Sequence, residues 1–178
     1  MTLRVGTAAA GIVLAAALLA GCVPDPDPTP SATGFADEDA AFAAAEATYR
    51  AYVDALNQVD LSDPATFEEV YRWTTGDALS QEKESLSTMH ADGWIVSGAS
   101  SVIAFRSVAV DLVTGDGNAL ACVDVSAVTL VDANGASQVS ADRPDIQTVT
   151  VAFEFSSTSP TLALLTSLEG AAEDVACD

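Results

Sequence analysis

One histidine, scattered acids and three cysteines are nearly all the reactive chemistry this chain of 178 residues offers. His90 would serve as a general base if it were held against a substrate. It falls late in a helical pattern beside Asp92, however, where a cation suits the helix dipole, and this favours a capping or surface role. Asp111 is the one acid expected on the core face of its strand. Buried there, it would be a carboxyl of raised pKa fit for acid catalysis; near a hairpin end, it would simply be exposed. Arg106, Asp124 and Glu154 alternate onto a single strand face and form either a ligand-binding set or a cross-strand charge ladder. Tyr49, Tyr52, Trp73 and Trp94 are the weak candidates for lining a pocket beside Asp111, the alternative being plain core. No Cys/His cluster has metal-ligand spacing, and there is no Gly-rich phosphate loop, nucleophile elbow or HExxH. We therefore assign no catalytic residue, expect no metal and no cofactor, and take a non-enzyme as the leading reading.

Two kinds of element must position these residues. Asp37-Glu38-Asp39 puts negative charge at a helix start, and Phe42, Ala45, Tyr49, Tyr52, Val53 and Leu56 follow at three- and four-residue spacing, an amphipathic helix ending near Asn57. Asp63-Pro64 reads as an N-cap with proline at the first helical position, and Phe67, Val70 and Tyr71 give that short helix its buried side. A third helix is expected from about Asp77 to Ala91, with Leu79, Lys83, Leu86 and Met89/His90 on one side and Gly93 as its stop. After Gly93 the period becomes two. Strands are expected at 94–97, 101–113, 119–131, 146–157 and 161–168, with a hairpin turn at Thr114-Gly115-Asp116-Gly117-Asn118. Pairing Val113 with Ala119 and Val131 with Gln147 sets Val108 opposite Asp124 and Asp124 opposite Glu154. It gives a polar face of Arg106, Asp124, Ser126, Thr150 and Glu154. The core face is then Ile103, Phe105, Val123, Val125, Val149, Val151, Phe153 and Phe155. Helices first and a meander after is an α+β order: N-terminal helices packed on a strongly curved antiparallel sheet.

Ahead of that domain the chain changes character. Arg4 precedes an apolar run from Val5 to Ala20, about 16 residues, against the roughly 20 a bilayer span needs. This reads as a secretory signal at 1–21. The run ends on Leu19-Ala20-Gly21-Cys22, which resembles the lipobox of bacterial lipoproteins. The resemblance implies that Cys22 receives a diacylglyceryl group, becomes the first residue after cleavage, and fixes the chain to a lipid bilayer on the outer face of the cytoplasmic membrane. The Pro-Asp ladder that follows lacks a backbone donor at each of its prolines and reads as an extended tether over 22–36. Cys122 and Cys177 are then an even pair in an exported chain, which reads as a disulfide, with a catalytic thiol as the rival; only one histidine is present to activate such a thiol. The net charge of −20 excludes nucleic acid and anionic headgroups as natural partners.

The domain at 37–178 resembles the nuclear transport factor 2-like proteins, and among them small exported lipoproteins of actinobacteria. The residues behind the resemblance are Gly93-Trp94-Ile95-Val96-Ser97-Gly98, Ala121-Cys122-Val123-Asp124-Val125-Ser126, Val131-Asp132-Ala133-Asn134-Gly135, Ala141-Asp142-Arg143-Pro144 and the late Cys177. It implies a cone-shaped α+β fold whose interior takes a small apolar ligand, or whose surface meets an envelope protein. It also implies a homodimer through a sheet face, the Arg106 face being available. The rival it admits is a cofactor-free isomerase- or cyclase-type enzyme, which needs a carboxylate deep in the cone within reach of a tyrosine.

Overall fold

The computed structural model describes residues 34–171 and 177. The signal at 1–21, Cys22 and most of the 22–36 tether lie outside the described residues. Asp37 caps α1 (Glu38–Leu56): its side chain accepts from the Ala40 amide at 2.8 Å, and Glu38 and Asp39 occupy the first turn. Asp63 caps a short 3₁₀ turn (Pro64–Thr66) that runs into α2 (Phe67–Tyr71), and α3 spans Gly76–Ala91. Six strands follow: β1 (Ile95–Ser97), β2 (Ser101–Asp111), β3 (Asp116–Asp124), β4 (Thr129–Val131), β5 (Ile146–Phe155) and β6 (Ala163–Gly170).

The main sheet is antiparallel in the order β2-β3-β5-β6. Helix α1 lies across it, approaching closely through Ala41 and Ala45, both fully buried. Behind α1 the core is Val70, Phe105, Val151, Phe153 and Leu165. The linker from α2 to α3 covers the β6 edge: the Thr75 amide donates to Leu165 O at 2.8 Å and the Leu165 amide to Trp73 O at 2.9 Å. The expected α+β order, helices on one face of an antiparallel sheet, is the architecture observed.

Four details differ from the sequence expectation. The strand expected over 119–131 is two: β3 ends at Asp124, and β4 leaves the sheet to pair with β1 in a separate two-stranded ribbon. A hydrogen bond from the Val125 amide to Asp145 O and a turn at 125–128 make the break. The β2–β3 hairpin closes earlier than expected, with Asp111 opposite Asp116, and Ser101, not Val108, faces Asp124. Two bulges, between Val102 and Ala104 and between Ser107 and Ala109, each insert a residue and reverse the alternation on either side of Phe105. Phe105 stays in the core, while Ile103 turns out to 52% exposure and Asp111 turns outward. The β3–β5 register is eight positions from the expected sum but keeps its parity, so Val123, Val151 and Phe153 do face the core. Finally, α3 buries Leu86 and packs Met89 on the core as expected, but in its first half the inward face is shifted by one residue. Ala78 and Leu86 point inward with Glu82 between them, and Lys83 is exposed, its Nζ 5.3 Å from the centre of the Tyr71 ring.

Candidate functional site

The cone opens where β3 ends and β5 begins. There α1 stands off the sheet and leaves a cavity of about 880 Å³. Its helix wall is Tyr49, Tyr52, Val53 and Leu56, and its sheet wall includes Val123, Val125, Val149 and Leu168. The helix spacing brings these four side chains to one face because 49, 52, 53 and 56 recur at three and four residues. The two tyrosine rings lie 6.0 Å apart, and Tyr49 stacks on Phe105 at 5.4 Å. Burial pushes both phenols well above their ordinary value, so both stay protonated at neutral pH. Glu169 is the carboxylate at this mouth; it is exposed, and its Oε1 accepts from the Ser167 hydroxyl at 3.2 Å.

Of the four aromatics singled out in the sequence, only the tyrosines meet here. Trp94 borders a separate hollow of about 340 Å³ with Val59, Leu61 and Val96, and Trp73 packs half-buried against the core at the β6 edge. Asp111 is not in the cone. It is exposed at the hairpin end, and its Oδ1 accepts from the Val113 and Thr114 amides at 2.7 and 3.0 Å, which holds its carboxyl below the usual range. The bulge at 107–109 is the physical reason. Arg106, Asp124 and Glu154 are not brought together: they stand opposite Leu120, Ser101 and Asp116, respectively. Asp111, Asp116 and Glu154 instead form a like-charged row across three strands at the hairpin end. His90 lies on the surface, where its Nδ1 meets Leu61 O at 2.7 Å and ties α3 to the loop after α1.

Cys122 sits on the outer face of β3, opposite Thr148, and is bonded to Cys177, with Cα atoms 5.7 Å apart. Thr148 Oγ1 lies 3.0 Å from Cys177 Sγ. Cys177 thereby becomes part of the cavity rim, beside Gly170 and Ala171.

The residue that sequence reasoning missed is Glu82. It is half-buried on α3 and accepts a hydrogen bond from the Tyr52 hydroxyl. Burial raises its pKa, against the lowering effect of that bond. Its signal was spacing: Glu82 is four residues from Ala78 and from Leu86, both inward-facing. Glu82 is not among the residues lining the cavity, so the pair ties α1 to α3, and among the described residues the cavity lining holds no hydrogen-bonded acid–tyrosine couple. Among the described residues, no group of His, Cys, Asp and Glu is placed to hold a metal ion, and no helix is long and apolar enough to cross a membrane.

No known protein family and no curated protein matches the chain. Similar solved structures include the intermembrane-space region of the chloroplast protein ARC6, at 15% identity and TM-score 0.46, covering 73% of this chain and 97% of that one. VirB8 of Agrobacterium tumefaciens is 15% identical at TM-score 0.45, covering 75% and 94%. CagV, a VirB8 homolog of Helicobacter pylori strain 26695, is 8% identical at TM-score 0.45, covering 73% and 99%. At such identities and scores these are likenesses of overall architecture, and no activity or partner is carried over from them.

Proposed function

We propose that this chain is an extracytoplasmic lipoprotein, anchored through acylated Cys22, whose domain is a non-catalytic module holding a small apolar ligand in the cone. The observation that carries the ligand reading is the cavity of about 880 Å³ between α1 and the open end of the sheet, within the usual size of small-molecule sites. Among the described residues its lining is mostly aliphatic and aromatic, with Ser100, Gln147 and Thr148 as polar members, and its one carboxylate, Glu169, is exposed at the rim. The anchor rests on the sequence alone, on the apolar run ending at Leu19-Ala20-Gly21-Cys22.

The Tyr52–Glu82 pair is the observation that favours a cofactor-free acid–base enzyme. It weighs less than the cavity, because the carboxylate is spent on a helix–helix tie and does not line the cone. Native mass spectrometry of the exported chain, against the same sample denatured, tests the binding reading. A discrete extra mass that vanishes on denaturation is expected. A bare mass would overturn it in favour of an envelope-protein partner or a homodimer, which the same spectrum would display. For the anchor, Cys22→Ser should move the chain from the membrane fraction to the soluble one; unchanged partition would remove the lipid from the account.

A further inference from the structure

Arg143, from the Ala141-Asp142-Arg143-Pro144 motif, has no part in the cone. It borders a second cavity, of about 570 Å³, which lies beneath the β1–β4 ribbon. This cavity shares Leu56, Ser100 and Val125 with the first, so the two lie back to back at the C-terminal end of α1. Asn57 fixes that boundary: its Nδ2 donates to Ser100 O and its Oδ1 accepts from the Ser100 amide, both at 2.9 Å. The rest of the second cavity is mostly aliphatic, with Leu86 and Met89 from α3 and Leu130 from the ribbon.

Among the described residues Arg143 is the cavity's one cation, and it is half-buried. Its Nη2 donates to Val125 O at 2.8 Å and to Val128 O at 3.0 Å, which fixes the plane of the guanidinium. Among the described residues its Nε and Nη1 make no hydrogen bond, and no carboxylate pairs with it. This is unusual in a chain with 26 acidic residues and six Lys and Arg. Arg50 and Arg72 show the contrast, each paired with a glutamate of its own helical segment at 2.7 and 2.9 Å.

We propose that the second cavity binds one long-chain carboxylate, its tail among Leu86, Met89 and Leu130 and its head on Arg143. The charge argument selects the head. An acidic surface repels anions everywhere except at an unpaired cation, and a guanidinium with donors left over matches a planar carboxylate. The aliphatic walls select the tail, and a volume near the middle of the small-molecule range holds a single chain. The inference rests on the reading of this domain as a ligand-binding module.

The test is a fluorescence titration of the complete chain carrying Cys22→Ser, so that no acyl group of its own competes. The probes are cis-parinaric acid and its methyl ester. The acid should bind roughly tenfold more tightly than the ester. Arg143→Gln should erase that preference and leave the ester's affinity unchanged, Arg143→Lys should keep most of it, and Val139→Trp, which fills the cavity, should weaken the acid. Equal binding of acid and ester, or an Arg143→Gln chain that loses both alike, overturns the proposal while the binding module stands. Failure of both probes to bind also overturns the proposal, and the native mass spectrum then decides separately whether the module reading stands.

Discussion

Glu82 carries the clearest consequence of a single side chain. Its pKa is raised, so folding favours the protonated form. The stability it contributes is full below the ordinary carboxylate value of 4.5 and is lost as pH rises through the raised value. Glu82→Gln keeps an acceptor for the Tyr52 hydroxyl and removes the titration. Its unfolding midpoint should therefore gain on the parent as pH rises from 4 to 8, and parallel midpoints across that range would show that the carboxyl is not desolvated. Tyr52→Phe removes the donor and leaves the carboxylate unsatisfied, at a cost of about 1–2 kcal/mol. The residue scale was also where the sequence was least legible. Tyr49 and Tyr52 share one face of α1 because helical spacing is strict. Asp111 and the Arg106 group were misplaced because bulges, which leave no mark in the sequence, decide which way a strand residue points.

At the scale of elements, the helix starts were the most readable feature, since Asp37 and Asp63-Pro64 state their caps in the sequence. The β1–β4 ribbon was not readable: 119–131 is continuously strand-like, and only the backbone bond from Val125 to Asp145 shows that it divides. The ribbon depends on Gly98, at φ +84°. A Cβ there would sit 2.7 Å from the Ala127 carbonyl carbon and closer still to its oxygen. Gly98→Ala should cost about 2 kcal/mol or more, from strain and overlap together. Hydrogen exchange should show the loss concentrated in 95–97 and 129–131. A variant as well protected there as the parent would mean that the ribbon tolerates the shift.

For the whole molecule, the order of helices before strands was enough to give the architecture, and the even pair left once Cys22 is set aside, Cys122 and Cys177, is the pair the structure bonds. What the order could not give was the cavity, which lies between the C-terminal half of α1 and the sheet end where β3 and β6 finish and β5 begins. The bond between Cys122 and Cys177 spans 55 residues, and on the chain-entropy account it stabilises by roughly 4 kcal/mol. Replacing both cysteines by alanine should lower the denaturant midpoint accordingly and make it indifferent to reductant; a parent midpoint already indifferent to reductant would argue that the bond is not formed in solution. One further feature sets the molecule's compass. Phe35 packs on Phe155, their ring centres 4.7 Å apart, at the far end of β5 from Ile146 and the cone mouth. The strand's ten residues, nine steps from Ile146 to Phe155, set the two about 30 Å apart. A chain suspended from its N-terminal side hangs like a bucket by its base, with its opening turned away from the point of suspension. Under the proposed anchoring at Cys22, cargo would then arrive from the space beyond the membrane, and the lipid leaflet would be the surface the cavity faces least.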